Sequence, residues 1–452
     1  MVVLWTDALI FILILVMLGL AIYMRGKEHI KRPLQKISNS KVGMVSLVVL
    51  LFFVLIGLLD SLHFKPAHHK KSNEIISLLD YWATPLREHG EKTYSAPLAT
   101  TLYSKEIMTL ADGTTQWGYP RLEFGGSHLD DPETQHIPDV LQKAGYGFIQ
   151  GASLFGFFML CYSGIRRRKS QGEKRQAFAL CTTSKCVWTV VFIIVSLSYT
   201  LIYLSAYYHV LGTDKVGEDV FYQALKSIRT GLVLGTLTTL IMLPMAIVFG
   251  ILAGFFRGWV DDVIQYIYTT LNSIPGVLLI AASILMVQVY MANHEQDFTS
   301  VIMRADMRLL FLCLILGVTN WTGLCRLLRA ETLKLREMEY VQAAQALGVK
   351  QNMILLRHIL PNVMHIVLIS VVLDFSSLVL AEAVLSYINI GVDPTTYSWG
   401  NMINGARLEM AREPIVWWSL SAAFVFMFAL VLAANLFADT VQDAFDPRRS
   451  AE

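Results

Sequence analysis

Charge is scarce in this sequence. Asp, Glu, Lys and Arg make up 16% of its 452 residues, where a soluble domain carries about 25%. The common signatures of nucleotide binding and hydrolysis are also missing. There is no GxxxxGKS/T, so the chain has no P-loop of its own; Gly26-Lys27 runs directly into Glu28. Neither a GxSxG elbow nor an HExxH zinc helix occurs. Cysteine is sparse, with Cys161, Cys181, Cys186, Cys313 and Cys325 all in or beside apolar runs or in a basic loop, which implies no disulfide framework. Cys181 and Cys186 have no second pair to complete a metal site, and read as incidental thiols. Internal repeats and low-complexity tracts are absent.

Apolar sequence fills the space that charge leaves. Hydrophobic residues are 54% of the chain and mean hydropathy is +0.50. Runs near the roughly 20 residues that cross a bilayer recur along it. They predict an all-α polytopic membrane protein with nine spans, at about Leu4–Met24, Gly43–Leu59, Tyr146–Gly164, Val187–Tyr208, Thr230–Phe256, Ile274–Met291, Leu309–Cys325, Val363–Val384 and Trp417–Phe437. Net charge of +2 says little, because placement of charge decides orientation. Arg25, Lys27, Lys31, Arg32, Lys36 and Lys41 follow the first run, and Arg166–Lys169, Lys174, Arg175 and Lys185 follow the third. Arg326, Arg329, Lys334 and Arg336 follow the seventh. All three clusters fall inside when the N-terminus is outside and the C-terminus inside. The first run has no positive n-region or cleavage site and reads as a retained anchor. In the long polar segment Asp60–Gly145, twelve acidic residues outnumber eight Lys and Arg, as expected of a translocated segment.

Between the seventh and eighth runs lies Val341–Pro361, only half apolar. Ala343, Ala344 and Ala346 form helix readily and let another surface approach the backbone. Gly348 suits a left-handed helix end. Asn352 is placed to cap a second short helix whose apolar side is Met353, Leu355, Leu356 and Ile359. Leu360-Pro361 then opens the next span, since proline is tolerated in a first turn. By pattern alone, a docking loop and an ordinary amphipathic linker are equally good readings.

The spacing Gln342-Ala343-Ala344, Gly348 and Leu360-Pro361 resembles the cytoplasmic EAA loop of the membrane subunits of bacterial ABC importers. Gln342 stands where that family has glutamate, and a neutral amide cannot form a charge-assisted pair. Leu211-Gly212-Thr213-Asp214, with Gly217, Asp219-Val220 and Arg229, is similar to the outer-loop signature of the C-type permease of dipeptide, oligopeptide and nickel importers. Here Thr213 and Asp214 are turn and cap residues expected to launch a short helix into the fifth span. Glu218 stands where the family often has a basic residue, and Ser227 near a position where it has glycine. Ile274-Pro275, the outer loop Leu385–Met402 with Pro394 and Ser398-Trp399-Gly400, and a tail with Asp439, Asp443 and Asp446-Pro447 match the same family in order.

The resemblance covers about Val187–Arg449 and implies a six-helix (type I) permease core over 187–452, with coupling loop 336–361. Before it come two spans and a basic loop (1–59), a periplasmic ectodomain (60–145), and a third extra span with its basic loop (146–186). The function implied is that of a permease subunit in the bacterial inner membrane, itself no enzyme. It would pair with a homologous permease, two cytoplasmic ATPases that bind ATP and Mg, and a periplasmic binding protein. Membrane lipid surrounds it and no nucleic acid is involved. Peptide, nickel chelate, and peptide-like siderophore or antibiotic remain open as substrates. A membrane-anchored scaffold and an ion-coupled secondary transporter are the alternatives from other classes.

Two acids fall in or at the edge of the eighth run, Asp374 and Glu382. Carboxylates at such depth are costly and face protein or water, so they are candidates for the translocation path. For Glu382 a capped, purely structural carboxylate is an equal alternative. The ectodomain histidines His63, His68, His69, His89, His128 and His136 contain no i,i+4 pair and read as solvated surface groups, not a metal site. Trp82-Ala83-Thr84 and Gln116-Trp117-Gly118 read as packing anchors of a small folded ectodomain. The charge asymmetry makes a topology test direct: a Ser127→Cys variant should react with an impermeant thiol reagent added outside the inner membrane. Reaction only after that membrane is permeabilised would contradict the expected orientation.

Overall fold

A computed structural model describes residues 4–24, 28–65, 75–109, 115–169, 182–294 and 300–445. Arg25, Lys27, His68, His69, Lys174, Arg175, Cys181 and Asp446-Pro447 lie outside them. The chain is helical nearly throughout. It begins with α1 (Trp5–Met24), α2 (Glu28–Asn39) and α3 (Lys41–Ser61). The polar segment forms β1 (His63–Phe64), β2 (Ile76–Ser77), α4 (Leu78–Trp82), α5 (Thr84–Glu88), β3 (Glu106–Thr109) and β4 (Thr115–Gly118). Long helices follow: α6 (Pro132–Lys169), α7 (Thr182–Ser205), α8 (Val220–Phe256), α9 (Gly258–Ser273), α10 (Gly276–Asn293) and α11 (Val301–Arg336). The chain closes with α12 (Glu339–Ala346), α13 (Gln351–Ile354), a π turn at Leu355–Ile359, α14 (Leu360–Tyr387), α15 (Trp399–Glu409) and α16 (Trp418–Phe445).

Among the described residues, seven helices are long and apolar enough to cross a membrane: Lys41–Ser61, Pro132–Gly164, Thr183–Ser205, Val220–Phe256, Gly276–Asn293, Gln351–Tyr387 and Trp418–Phe445. They cover seven of the nine expected spans. The first expected span holds a shorter apolar helix, Trp5–Gly19. The seventh lies in α11, which is not one of the seven and places Asp306, Thr322 and Thr332 among its buried residues. Its polar side chains are tolerated because they face protein and not lipid.

Two compact units emerge. One comprises Met1–Ile37, Arg229–Asn404 and Val431–Glu452; the other comprises Ser38–Ile228 and Gly405–Leu430. In the first, α8 and α11 pack closely because Gly250 and Gly254 present no Cβ. A Cβ at Gly250 would meet Leu328 Cβ at 2.8 Å, and one at Gly254 would meet Thr332 Cβ at 2.6 Å. Small residues at such spacing are how membrane helices gain dispersion contacts without a hydrophobic drive between them. The start of α1 is fixed by polar pairing instead. Arg229 Nη2 reaches Asp7 Oδ1 at 2.7 Å, and the Thr6 hydroxyl donates to Asp306. At the opposite end of the chain, Lys36 Nζ donates to the Asp443 carbonyl at 2.9 Å, and Ile37 packs on Val441 and Ala444.

In the second unit α6 and α7 form a tight pair. Gly147 and Gly151 lie against Thr200 and Ser196, whose Cα atoms would sit 3.0 and 2.8 Å from an added Cβ. The polar segment is held to its own unit by long-range hydrogen bonds. Ser95 N–H donates to Thr213 Oγ1 at 2.7 Å, Glu91 N–H to Gly217 O at 2.9 Å, and Trp418 Nε1 to Thr213 O at 2.9 Å. Lys226 Nζ is buried between Asp80 Oδ1 (2.7 Å) and Asp60 Oδ1 (3.2 Å). Burial works to raise the Asp80 carboxyl, but Lys226 outweighs it and holds the group below its usual range.

Three sequence expectations change here. Thr213-Asp214 launches no separate helix: the positive φ of Gly217 turns the chain, and Asp219 caps α8 by accepting from Phe221 and Tyr222 N–H. Trp82 and Trp117 are 66% and 65% exposed, so they are not packing anchors. The segment's own core is leucine-rich, with Leu79, Leu86, Leu102, Leu122, Leu129 and Tyr94 buried. Its described histidines serve as structural partners, with His63 buried, His89 stacked on Phe124, His128 beside Asp139, and His136 on the Leu98 carbonyl. No group of three metal-ligating side chains occurs among the described residues.

One joint in this unit titrates. His209 lies between Asp219 Oδ2 (2.8 Å from Nδ1) and Glu91 Oε1 (3.4 Å from Nε2). Glu91 also accepts the backbone N–H groups of Glu123, Phe124 and Gly125. Burial opposes the imidazolium, but bonds to Asp219 and Glu91 outweigh it and lift the ring from 6.5 to about 9. For Glu91, burial acts upward, yet His209 and the three N–H groups hold it below its ordinary 4.5. A raised histidine contributes stability that is complete below 6.5 and lost as pH climbs through about 9. A depressed carboxylate contributes above 4.5 and loses its contribution as pH falls below that. The thermal midpoint of His209→Gln should therefore lie furthest below wild type near pH 6 and converge on it toward pH 9.5. A gap that does not change over that range would contradict the imidazolium joint.

Candidate functional site

The segment 339–361 is built from two amphipathic pieces around one turn. In α12, Val341 and Ala344 point inward, one helical turn apart, and Val341 is fully buried. Gln342 and Ala343 therefore face outward, so the two alanines of the motif play opposite parts. The Gln342 amide donates to the Glu337 carbonyl at 3.3 Å, a bond a neutral side chain makes without a cation. Gly348 takes φ +73°, and the helix closes with Gly348 N–H on Gln345 O and Val349 N–H on Ala344 O. That left-handed end is the role expected of this glycine.

The second piece departs from expectation in two ways. Lys350, not Asn352, stands at the N-cap of α13 and makes no side-chain cap bond. Only Val349 and Lys350 separate the glycine from the new helix. The inward face is Ile354, Leu355 and Ile359, while Met353 and Leu356 are exposed, because the helix begins one residue before the expected cap. Pro361 stands in the first turn of α14, as expected of a proline there. The π turn joins α13 directly to α14, with Leu360 half-buried and Pro361 exposed.

Ion pairs and backbone bonds fix the base of the segment. Arg329 forms a two-pronged pair with Asp261, both contacts at 2.6 Å, and its hydrogen bonds hold the Asp261 carboxyl below its usual range. Arg336 donates to the Phe255 carbonyl at 2.8 Å, and Arg257 meets Glu337 at 2.5 Å. Above this base, an apolar rim lies open to solvent. Leu347 is 83% exposed, Leu356 66% and Met353 52%, with Val349 also exposed. Sequence reading missed Leu347, although an aliphatic residue directly before a turn glycine was the available sign.

The two acids of α14 sit in different surroundings. Asp374 is half-buried, and among the described residues its carboxylate has no hydrogen-bond or ion-pair partner. Glu382 is 1% exposed and accepts from the Ser386 hydroxyl at 2.7 Å. Ser386 Oγ in turn takes the Val392 N–H at 3.3 Å, so Glu382 braces the loop after α14.

Strain at Gly348 has a measurable consequence. Nothing lies within 4 Å of an added Cβ there, so only the backbone penalty of about 1–2 kcal/mol acts on a side chain. Gly348→Val should loosen the turn and speed tryptic cleavage after Lys350, whereas Gly348→Asn, which tolerates the left-handed region, should cleave like wild type. Equal cleavage of the two variants would remove the role given to this φ.

Comparison with known proteins now bears on this geometry. Residues 246–451 match the family model described as "Binding-protein-dependent transport system inner membrane component". The dipeptide transport permease DppC of Lactococcus lactis is 30% identical over 54% of this chain and 65% of its own length. The glutathione transport permease GsiD of Pectobacterium atrosepticum is 30% identical over 53% of this chain and 73% of its own length. The oligopeptide permease OppC of Mycobacterium bovis is 29% identical over 53% and 76%. A chain of the inward-facing MetNI methionine ABC transporter shares 17% identity at TM-score 0.34, covering 49% of this chain and 93% of that one. With residues 341–361 inside the matched region, the chain belongs to the family of binding-protein-dependent transport system inner membrane components, the permease subunits of ABC importers.

Proposed function

We propose that this chain is one of two homologous permease subunits of an importer for peptides or peptide-like substrates, forming half of the translocation path. Members of the family work with ATPase and substrate-binding partners. Here the reading is a complex with two cytoplasmic ATPases, which hold ATP and Mg, and one periplasmic binding protein. The substrate class follows the names of the relatives, which transport dipeptides, glutathione and oligopeptides. Orientation follows the charge clusters, with the N-terminus periplasmic and the coupling loop and C-terminus cytoplasmic.

The observation that carries the reading is the open apolar rim at Leu347, Met353 and Leu356 on a segment whose opposite side, at Val341, Ile354 and Ile359, is fully buried. Gln342, Ala343, Ala344, Gly348, Leu360 and Pro361 shape that segment as the ATPase-coupling element. Movement of the ATPases on binding ATP would act on it and rearrange the spans between outward and inward access. Asp374, half-buried and unpaired among the described residues, is the better placed of the two acids to meet a substrate ammonium. Glu382, already bonded to Ser386, serves the path by holding its wall.

Outward-facing positions give the test. Ala343→Glu and Leu347→Glu place a charge on the docking surface without touching the buried side. Each should lower uptake of a labelled dipeptide at least about tenfold, the effect of losing roughly 1.4 kcal/mol of coupling, at normal membrane levels. Wild-type uptake in both would overturn the assignment.

A further inference from the structure

The helix from Gln351 to Tyr387 is interrupted where the coupling segment enters the span. At Pro361 the backbone has no N–H, so the Arg357 carbonyl loses its normal partner four residues on. Just before it the chain widens into the π turn Leu355–Ile359, and the Leu360 N–H bonds back to the Leu355 carbonyl. A π turn is a local fault in helical bonding and is found most often at functional sites. Next to that fault stands Asn362, whose side-chain amide uses both hydrogens. One bond goes to the His358 carbonyl inside the π turn, at 2.7 Å. The other goes to the Tyr340 hydroxyl of α12, at 3.1 Å. The Tyr340 ring also lies beside the His358 ring, with centroids 6.1 Å apart.

Three routes connect α12 to the span. The covalent route passes through Gly348, a residue with the least resistance to bending. The apolar route, through Val341 and Ala344, is non-directional and permits sliding. Among the described residues, the Tyr340–Asn362–His358 route is the directional one, and it lands where the ladder of helical bonds in this helix is already broken. We propose that Asn362 is a positioning residue that transmits displacement of α12 to α14, with the π turn as the point that yields. The inference rests on the coupling-loop reading above. It adds residues that the motif does not include and a site for the bend.

The experiment uses the whole complex, reconstituted with its ATPase subunits, after replacing the native cysteines. Spin labels at Gln351→Cys and Val384→Cys flank the π turn, and their separation is read with and without ATP trapped by vanadate. A change in that separation on trapping is expected in the labelled parent. Tyr340→Phe and Asn362→Ala should each abolish it while ATPase subunits remain bound and hydrolyse ATP. The double variant should do no more than either single one, since both cut the same link. A parental shift retained in both single variants overturns the proposal, as does loss of ATPase subunits from Tyr340→Phe, which would place Tyr340 in the docking surface. A parent that binds ATPases but shows no shift overturns the link and leaves the coupling reading intact. A parent with no bound ATPase overturns both.

Discussion

Four aliphatic side chains hold the working part of this protein in place. Val341, Ile354, Ile359 and Val363 are all fully buried, in one cluster with Phe255, Trp321, Leu328 and Leu335. Each such side chain is worth about 1.5–3 kcal/mol when removed from water. Without that anchorage the exposed face of the loop would have no fixed geometry to offer a partner. The cluster sits where α8, α9 and α11 converge, and the Asp261–Arg329 pair and the Arg336–Phe255 bond close around it. A force applied at the rim therefore meets packed side chains and directional bonds.

A second constraint comes from the bilayer, where charged groups are costly and are mostly paired or turned toward protein or water. Arg229 with Asp7, and Lys226 with Asp60 and Asp80, obey that rule inside their own units. Removing one partner of such a buried pair costs about 3–5 kcal/mol because the other charge is stranded. The pairs therefore specify which helix ends meet, while the glycines at Gly147, Gly151, Gly250 and Gly254 specify how closely the helix bodies approach. Polar bonding at the ends and small residues along the bodies divide the work of assembly.

Much of this was legible in the sequence, because a long apolar run has few alternatives in a membrane protein. The spans at Lys41–Ser61, Val220–Phe256 and Trp418–Phe445 follow directly from composition. Gly348 was legible because few other residues accept φ +73°. The facing of individual side chains was not. Met353 and Leu356 are as apolar as Ile354 and Ile359, and only the start of α13 decides which pair is buried. Caps were misplaced for a similar reason: Asp214 and Asp219 are chemically alike, and the turn at Gly217 selects the second. Trp82 and Trp117 show the limit of composition, since large aromatic residues suggest a core that leucines build instead. The α11 helix shows it from the other side, with polar residues that are buried against protein.

The proposed coupling puts the face around Leu347 against an ATPase in the native membrane. A photoreactive amino acid placed at Leu347, irradiated in intact cells, tests it most directly. A crosslink to a cytoplasmic ATPase subunit is expected, absent when the same residue is placed at the buried Val363. Crosslinks to lipid alone, or to proteins that bind no ATP, would contradict it.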